Sequence, residues 1–371
     1  MGLVRQAHHR RIPSYKTEGA DSCQEELQGL KPVLQDFGYS LTMPLPLLHL
    51  LRGHRGGWLT MEALQVALEL SPGEILGQLE KLSEMGHKLE KSPAYGFRLA
   101  EPVAKLTAEL IEYGLQTNYI GRKILVYEST DSTNDVVWHY AKEVDYDGLA
   151  VFGEYQRKGR GRFQRRWEAK AGSSILCSVL LQKISRSEAG KQSSTAGLTL
   201  LTGLAVAQAI EDVCPVRGRI KWPNDVMVGG KKLAGIMVES RKINGGPAYV
   251  LGIGINCLQE DEDFDEEIRG GAVSLRQILK SKADIDRLQL AQQLLYRLDQ
   301  GVVAWENNQT DTLHEQWLAH CDDLGQRLKL AQNGKTYAGR VIEVSIERGL
   351  ILQLDDGAIH IFDPATTTVV A

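Results

Sequence analysis

The sequence lacks several features that mark specialised classes of protein. Its 371 residues include five cysteines, an odd number with no Cys-x-x-Cys pair, so neither a disulfide framework nor a cysteine-rich zinc site is expected. Neither sign of charge dominates, since 43 Lys and Arg stand against 47 Asp and Glu for a net charge of -4. General attraction to nucleic acid or to an anionic membrane is therefore not expected, although a local basic patch can still bind an anion.

No segment has the properties of a membrane span or a secretion signal. The most apolar helical stretch, residues 196–210, includes Thr199, Thr202 and Gln208 and is too short and too polar to cross a bilayer. The N-terminal residues contain no apolar core of a signal peptide. We therefore expect a cytoplasmic protein with free, reduced thiols and no membrane partner.

The composition is that of a globular chain with more than one domain. Hydrophobic residues make up 43% and charged residues 24%, which is enough apolar material for a large core, and the length favours two or three domains. Residues 1–43 mix charges, Gly and Ser with few periodic apolar positions. We expect them to form an N-terminal extension that is at best partly ordered, and we assign it no function.

Residues 44–102 predict a winged helix-turn-helix. Two short helices rich in leucine and alanine precede a third, whose start is marked by the capping-box pair Ser71 and Glu74. Residues 88–91 and 97–99 are then predicted to form two short strands around a turn. This is the order of a DNA-binding fold that places its third helix in the major groove.

DNA binding by this domain is one of two interpretations. The residues predicted to face DNA are Thr60, Ser71, Gly73, Gln78 and Lys81. The third helix carries three glutamates and only one lysine, and the whole of residues 44–102 holds six Lys and Arg against seven Asp and Glu. Since phosphate contacts supply most of the affinity for DNA, a structural or protein-contact role stays equally open.

Residues 103–321 predict a mixed α+β domain. A linking helix is expected over residues 103–115, after which short β-rich runs alternate with amphipathic helices. Several strands follow one another with only a loop between them, which favours a mixed sheet over a doubly wound parallel one. The predicted strands cover residues 124–127, 150–155, 174–181, 219–222, 233–239 and 249–255, and the predicted helices cover residues 133–142, 194–212 and 287–309.

Residues 322–371 predict a small C-terminal β-barrel of the SH3-like type. The predicted strands cover residues 327–331, 337–345, 349–353 and 360–362. Turn signals at Asn333-Gly334 and Asp356-Gly357 separate these runs. Upstream of this domain, the strongly acidic residues 260–267 are predicted to form a solvated loop.

The strongest local feature is a basic segment from Arg157 to Trp167. Six of its first ten residues are Lys or Arg, none is acidic, and Gly159 and Gly161 are interleaved with them. Glycines let the backbone approach a ligand closely, and arginines donate two hydrogen bonds at once to a carboxylate or phosphate. The segment is typical of an anion-binding loop, although by itself it fits a solvated loop or a nucleic-acid patch as well.

Two further segments carry groups suited to activating a carboxylate. Lys221-Trp222-Pro223-Asn224-Asp225 places a lysine at the end of a strand, where its charge can face a substrate carboxylate and a developing phosphoryl charge. Gly252-Ile253-Gly254-Ile255-Asn256 places two glycines in a strand, where a ligand can lie against bare backbone. The P-loop, dinucleotide, serine-hydrolase and zinc-helix signatures do not occur, so a nucleotide would be bound by another device.

The order of these motifs resembles that of biotin protein ligases. The matching segments are Asp131-Ser132-Thr133-Asn134, Glu154-Tyr155-Gln156, the loop from Gly159 to Trp167, Lys221 to Asp225, Lys232-Leu233-Ala234-Gly235 and Gly252 to Asn256. With a helix-turn-helix predicted before the catalytic domain and a β-barrel after it, the chain is similar to the bifunctional bacterial form, which is also the biotin operon repressor. The loop departs from the usual family sequence at Phe163, Gln164 and Arg166, where Arg, Gly and Lys are common.

The resemblance implies which residues bind the substrates. Biotin would contact Ser132, Thr133, Asn134, Gln156, Arg160, Gly161, Arg162, Lys221, Gly252 and Gly254. The nucleotide would contact Arg162, Arg165, Trp167, Asn224, Lys232 and Asn256. The catalytic residues would be Lys221, Arg160 and Arg162. Mg2+ would enter with ATP, and Asp225 is a candidate ligand for it.

The resemblance also implies the reaction and its partners. Biotin and Mg-ATP would give biotinyl-5′-AMP and pyrophosphate, and the biotinyl group would pass to a lysine of the biotin carboxyl carrier protein of acetyl-CoA carboxylase. A homodimer formed on adenylate binding and an operator DNA are further expected partners, with biotinyl-AMP as corepressor. Two alternatives stay open. The N-terminal domain could be structural only, or the enzyme could ligate lipoyl-type groups, from which biotin ligases are separated by the Gly-Arg-Gly-Arg loop and Lys-Trp-Pro-Asn-Asp.

Overall fold

A computed structural model describes residues 44–54, 56–84, 86–100, 105–184, 195–280, 285–345 and 349–370. The predicted N-terminal extension, residues 1–43, lies outside these ranges. The chain divides into two compact units. One comprises the described residues up to 84 together with Glu90–Arg98, and the other comprises Gly86–Leu89 and the described residues from Leu99 onward.

Three helices and a two-stranded sheet make up the N-terminal part of the described chain, in the predicted order. The helices are α1 (Leu45–Gly53), α2 (Met61–Leu68) and α3 (Pro72–Glu84), and the strands are β1 (Leu89–Ser92) and β2 (Gly96–Leu99). All three helices contribute buried leucines or isoleucines to the core of the first unit.

Helix α3 begins with the capping box that the sequence predicts. Ser71 Oγ donates to Glu74 Oε2 over 2.6 Å, and the backbone N–H of Glu74 donates to Ser71 Oγ over 3.4 Å. The buried positions Ile75, Leu79 and Leu82 recur at helical spacing, so they define the inner face of α3.

The second unit is centred on a seven-stranded sheet with the order β3-β4-β5-β9-β8-β7-β6. Its strands are β3 (Ile124–Tyr127), β4 (Ala150–Gly153), β5 (Ser174–Leu181), β6 (Arg219–Lys221), β7 (Asp225–Val228), β8 (Lys231–Ile243) and β9 (Gly246–Asn256). Strands β3 and β4 are parallel and the other neighbouring pairs are antiparallel, so the sheet is mixed, as predicted. Strand β7 was not predicted; it pairs with β6 across the turn that contains Trp222 and Pro223.

The second unit contains seven described α-helices, most of which pack against this sheet. They are α4 (Ala108–Glu112), α5 (Thr133–Tyr140), α6 (Thr195–Val213), α7 (Glu266–Arg269), α8 (Leu275–Leu279), α9 (Arg287–Glu306) and α10 (Thr310–His320). The expectation that the apolar stretch is too short to cross a membrane is corrected here, because α6 has 19 residues and is apolar enough by length and composition to do so. Fourteen of those residues are buried inside the protein, and α6 is a core helix.

An ion pair lies in the core of the second unit. Arg287, at the start of α9, donates to Glu154 Oε2 over 2.6 Å, and the two side chains are 1% and 8% exposed. Glu154 Oε1 accepts the backbone N–H of Leu106 over 2.7 Å, and Arg287 also donates to the carbonyl oxygen of Ser174 over 2.9 Å. Each charge is therefore compensated, and the pair fixes the end of β4 next to Gln156.

The C-terminal residues form a five-stranded antiparallel sheet with the order β13-β12-β11-β10-β14. The strands are β10 (Arg327–Gln332), β11 (Lys335–Ser345), β12 (Gly349–Leu354), β13 (Ile359–Phe362) and β14 (Thr367–Val370). The first four correspond to predicted strands, whereas β14 was not predicted. The described cysteines, Cys177, Cys214, Cys257 and Cys321, are buried thiols that form no disulfide with one another.

Candidate active site

A cavity of about 1120 Å³ opens in the second unit, and the residues predicted to bind substrate line it without exception. They are Ser132, Thr133, Asn134, Gln156, Arg160, Gly161, Arg162, Arg165, Trp167, Lys221, Asn224, Asp225, Lys232, Gly252, Gly254 and Asn256. They come from the start of α5, the basic loop, the β6–β7 turn and strands β8 and β9. Motifs more than a hundred residues apart in the chain thus meet at one site.

One end of the cavity is a buried, uncharged pocket. Thr130 and Gln156 form an isolated parallel bridge, which brings Gln156 beside the first turn of α5. Gln156 Oε1 accepts the backbone N–H of Thr133 over 2.7 Å and lies 3.0 Å from Thr133 Oγ1. Ser132, Thr133 and Asn134 are each 3% exposed. Neutral donors and acceptors of this kind suit an uncharged polar ring rather than an ion.

Two glycines of β9 provide bare backbone on the cavity floor. A Cβ atom at Gly252 would lie 2.5 Å from Asn134 Oδ1, and one at Gly254 would lie 2.4 Å from Cε2 of Trp167. Side chains at these positions would displace Asn134 and Trp167, respectively. These glycines are therefore needed for close contacts with protein side chains, and their contact with a ligand stays a prediction.

The basic loop closes on itself through its backbone. The N–H of Trp167 donates to the carbonyl oxygen of Gly159 over 3.0 Å, and the N–H of Gly161 donates to that of Arg165 over 2.7 Å. Phe163, one of the departures from the usual family loop, has φ 55° and ψ 37° and is half exposed. This left-handed conformation is uncommon for a residue with a Cβ.

The two predicted catalytic arginines have opposite electrostatic surroundings. Arg160 donates to both carboxylate oxygens of Asp135 over 2.7 and 2.8 Å and to Glu239 over 3.3 Å, and the hydrogen bonds to Asp135 raise the pKa of Arg160. Arg162 donates to Asn224 Oδ1 over 3.1 Å, to the carbonyl oxygen of Thr367 over 2.8 Å and to that of Pro364.

All three acceptors of Arg162 are uncharged, and burial lowers its pKa. Its charge is therefore not neutralised by any hydrogen-bonded carboxylate among the described residues. The nearby charges of Asp225 and Asp363 offset the effect of burial on this pKa only in part, and an anionic ligand in the cavity would add a closer countercharge.

The backbone next to Lys221 is anchored at the cavity by the residue that follows it. The following residue, Trp222, is 1% exposed, and its N–H donates to Asp323 Oδ2 over 2.7 Å. Burial raises the pKa of Asp323, although the nearby Lys221 opposes this effect. The side chain of Lys221 is itself exposed, so it can approach a ligand in the cavity.

The predicted nucleotide-binding residues surround Trp167. Lys232 Nζ lies 5.7 Å from the centroid of the Trp167 ring and forms an ion pair with Asp225 over 2.6 Å. Asn224 Nδ2 donates to the carbonyl oxygen of Ile236 over 2.9 Å. Asn256 Nδ2 donates to that of Val273 over 3.2 Å. An aromatic face flanked by amides and cations suits a nucleobase and its phosphates.

Several cavity residues were missed from the sequence. The acidic segment, whose Asp265, Glu266 and Glu267 are exposed to solvent as predicted, also contributes these residues to the cavity wall, and strand β14 contributes Thr368 and Val369. Charge runs are usually solvent-facing, and nothing in the sequence around β14 marks it as part of a site. Only the three-dimensional structure brings these segments to the cavity.

No preformed metal site is found in the part of the chain that the structure describes, since no three His, Cys, Asp or Glu residues cluster suitably there. Asp225 does line the cavity, but its carboxylate is paired with Lys232. Mg2+ is often held by one or two carboxylates together with substrate phosphates. One carboxylate beside a nucleotide pocket is compatible with that mode of binding.

In the first unit, the residues predicted to face DNA do not share one environment. Thr60 caps α2 by accepting the N–H of Ala63 over 3.2 Å, and Ser71 is engaged in the capping box of α3. Gly73 and Lys81 are exposed, whereas Gln78 is only 6% exposed. The amide of Gln78 belongs to the core rather than to the outer surface of α3, which corrects its predicted role in DNA contact.

Known proteins resemble the chain in both sequence and fold. The sequence profile of the Biotin/lipoate A/B protein ligase family matches residues 126–256. The chain is 28% identical to the bifunctional ligase/repressor BirA of Bacillus subtilis over 297 residues, which cover 80% of this chain and 89% of that protein. It is 35% identical to the biotin-[acetyl-CoA-carboxylase] ligase of Mycobacterium tuberculosis over 211 residues, which cover 55% of this chain and 74% of that protein.

The fold of the chain is similar to that of solved biotin protein ligase structures. A mutant biotin protein ligase of Aquifex aeolicus in complex with biotin has 25% identity and a TM-score of 0.57, covering 67% of this chain and 98% of that one. The Aquifex aeolicus enzyme in complex with biotin and ATP has 23% identity and a TM-score of 0.55.

Proposed function

The chain belongs to the biotin/lipoate protein ligase family, and we propose that it is a biotin protein ligase. It activates biotin with ATP to biotinyl-5′-AMP and pyrophosphate and then transfers the biotinyl group to a lysine of a biotin carboxyl carrier protein. The observation that carries this proposal is the convergence of all the predicted substrate-binding residues on one cavity, with an uncharged pocket at Thr133 and Gln156 and basic residues beyond it.

The first step brings two anions together. The carboxylate of biotin attacks the α-phosphorus of ATP, a carboxylate–phosphorus bond forms, and the bond to pyrophosphate breaks. The repulsion between the reactants and the charge that develops on the phosphoryl oxygens both require fixed cations. Arg162 is suited to this role because it is half-buried against uncharged hydrogen-bond acceptors, and Lys221 is suited because its exposed ammonium borders the same cavity.

Mg2+ bound with ATP would neutralise phosphate charge and aid departure of pyrophosphate. Asp225 is one of several carboxylates that line the cavity, and it is the one that we propose contacts Mg2+. Lys232, which is now paired with Asp225, is placed to contact the phosphates from the same side.

The second step needs little from the enzyme beyond shielding and position. The acceptor lysine attacks the acyl carbon of the mixed anhydride, and AMP leaves. Because the anhydride is also open to hydrolysis, the basic loop that lines the cavity has to exclude water. The carrier of acetyl-CoA carboxylase is the proposed acceptor, in line with the name of the Mycobacterium tuberculosis relative.

Biotin-dependent ATP–pyrophosphate exchange by the purified chain tests this proposal. We expect exchange with biotin but not with lipoate, and a loss of about a hundredfold or more in a Lys221→Ala variant because a fixed cation is removed. Lys231→Ala is the matched control, since Lys231 is an exposed lysine of β8 outside the cavity wall. The absence of exchange with either acid would refute the proposal, and exchange with lipoate alone would favour the lipoyl-type alternative.

We further propose that residues 44–102 form a winged helix-turn-helix that binds operator DNA, and that residues 322–371 form an SH3-like domain. The three helices followed by two strands support the first assignment, as does the name ligase/repressor of a relative that matches 80% of the chain. The outer face of α3 exposes Glu80 and Glu84 beside Lys81, so few phosphate contacts are available on that helix.

Fluorescence anisotropy with a labelled two-fold repeat from upstream of biotin genes tests DNA binding. We expect binding only with biotin and ATP present, together with a monomer–dimer shift in sedimentation velocity. Equal binding to a scrambled duplex would leave the first unit with a structural role.

A further inference from the structure

The strand that carries Lys221 lies at the edge of the seven-stranded sheet. Strand β6 is the last strand in the order of that sheet, and it pairs with β7 on one side. On its other side it meets residues 321–326, which connect α10 to β10 and which we call the connector. Ile220 of β6 and Cys321 of the connector form an isolated parallel bridge. The backbone around Lys221 is therefore held by the connector as well as by the sheet.

The start of β6 is joined to the connector by an ion pair. The guanidinium of Arg219 donates to both carboxylate oxygens of Asp322, over 2.8 Å to Oδ2. It also donates to the carbonyl oxygen of Ala319 over 2.8 Å. Because the side chain of Asp322 is 69% exposed, we expect this ion pair to contribute little to stability.

Asp323 holds the other end of β6, next to the cavity. Its Oδ2 accepts the backbone N–H of Trp222 over 2.7 Å. This N–H and the Cα atom of Lys221 belong to one planar peptide unit, so the hydrogen bond fixes the orientation of that plane and with it ψ of Lys221. Together with the pairing of Lys221 and Asp225 between β6 and β7, this contact sets the direction in which the Lys221 side chain leaves the strand.

Lys221 and Asp323 also interact through their charges. Burial raises the pKa of Asp323, and the positive charge of Lys221 acts in the opposite direction. The two described side chains form no direct ion pair with each other, so the ammonium group of Lys221 stays free to meet an anionic ligand in the cavity. Asp323 therefore attracts the cation without neutralising it by direct contact.

We propose that Asp323 is a positioning residue for the formation of the acyl-adenylate. It holds the peptide unit after Lys221 so that the ammonium group points to the place where the carboxylate of biotin meets the α-phosphate. Asp323 does not line the cavity, so it acts on the reaction through Lys221 and not by contact with a substrate. This inference rests on the proposed ligase function and adds a residue to it.

Asp323→Ala removes the acceptor of the Trp222 N–H. We expect kcat for biotin-dependent pyrophosphate exchange to fall about tenfold, because a displaced cation loses part of its effect on the transition state. Asp323→Asn keeps an oxygen acceptor for the same N–H, so its kcat should lie within about threefold of the wild-type value.

A Lys221→Ala background separates positioning from stability. If Asp323 acts through Lys221, adding Asp323→Ala to Lys221→Ala should lower kcat by less than a further factor of about two. A purely structural role would lower the exchange rate by the same factor in both backgrounds. Urea denaturation of the four proteins gives the conditions under which all of them are folded, and the rates are compared there.

Asp322→Ala is the matched control, because Asp322 is the neighbouring acid of the connector and contacts Arg219 rather than Trp222. Its kcat should stay within about twofold of the wild-type value. Should Asp323→Ala fail to fold, Asp323→Glu keeps the charge and moves the acceptor by one methylene group. It should give a smaller loss that also disappears in the Lys221→Ala background.

Three results would overturn this inference while exchange by the wild type leaves the ligase function standing. They are an equal loss in both backgrounds, full activity in Asp323→Ala or in Lys221→Ala, and a loss in Asp323→Asn or Asp322→Ala as large as that in Asp323→Ala. Absence of exchange in the wild type would instead refute the function itself.

Discussion

Arg162 and Thr367 are 205 residues apart in the chain, and the guanidinium of Arg162 donates a 2.8 Å hydrogen bond to the carbonyl oxygen of Thr367. The basic-loop arginine that is predicted to be catalytic is thus held partly by the C-terminal sheet. The acceptors are backbone carbonyls, so they orient the cation without cancelling its charge.

Arg162→Ala should lower the rate of biotin-dependent pyrophosphate exchange by about 10² to 10³-fold, because a fixed cation facing the phosphoryl group is removed. Arg162→Lys should recover only part of the rate, because an ammonium group cannot reproduce the planar fork of donors to Asn224 and Thr367. Lys158→Ala, in the same loop but outside the cavity wall, is the control. Full activity in Arg162→Ala would show that this cation is not used in the first step.

Substitutions at Gly252 and Gly254 should each affect the KM for a different substrate. Gly252→Ala pushes against Asn134 and should raise KM for biotin about tenfold, whereas Gly254→Ala pushes against Trp167 and should raise KM for ATP by a similar factor. Steady-state kinetics with each substrate varied in turn measures both effects. Gly246→Ala, in the same strand with no atom within 4 Å of the added Cβ, should change neither. If both variants affected the same substrate, the separation of the two subsites would be wrong.

Arg287→Leu should destabilise the second unit by about 3 to 5 kcal/mol, because it leaves Glu154 buried without its countercharge. Urea denaturation monitored by circular dichroism gives the change. Lys105→Ala breaks an exposed ion pair with Glu128 and should leave the unfolding midpoint unchanged. A comparable loss in both variants would mean that burial of the Arg287 pair is not what matters.

The first unit should lose stability as the pH falls. Burial, with a smaller contribution from Arg52, lowers the pKa of His49 from 6.5 to about 4. Between these values the unfolded chain binds a proton that the folded chain does not, so stability is fully present above pH 6.5 and declines toward pH 4, by up to about 3 kcal/mol.

Hydrogen exchange of the α1 amides between pH 7 and pH 4.5 measures the stability of the first unit after correction for the intrinsic exchange rate. A His49→Gln variant should show a flatter dependence over this range. An identical slope in both proteins would assign the effect to other groups.

The parts of the site that could be predicted are those whose functional residues lie next to one another in the sequence. The basic loop and the segments around Lys221 and Gly252 are contiguous runs with an unusual composition, and all of them border the cavity. Ser178, in the middle of β5, gave no such signal, although it is fully buried and its Oγ lies 2.7 Å from Thr133 Oγ1 and 2.6 Å from Asn134 Oδ1 at the cavity. These partners are 45 and 44 residues away in the chain, so the sequence pattern around a single serine does not reveal the contacts.

The ends of helices and strands were also predicted less well than their existence. A single helix was predicted over residues 287–309, whereas α9 ends at Glu306 and α10 follows it, because Asn308 adopts φ 56° between them. Asparagine is one of the few residues that tolerate this conformation, so the break had a local cause that periodicity alone does not reveal. Strands β7 and β14 have four residues each and are held mainly by their partners.

The chain order around α6 affects how the protein folds as it is synthesised. The main packing partners of α6 are β6, β7, β8, β9, α9 and α10, all of which follow it in the chain. During synthesis this helix is therefore complete before any of these elements exists to cover its apolar surface. Until the sheet and α9 close over it, the apolar surface of α6 is exposed, and such transient exposure favours aggregation.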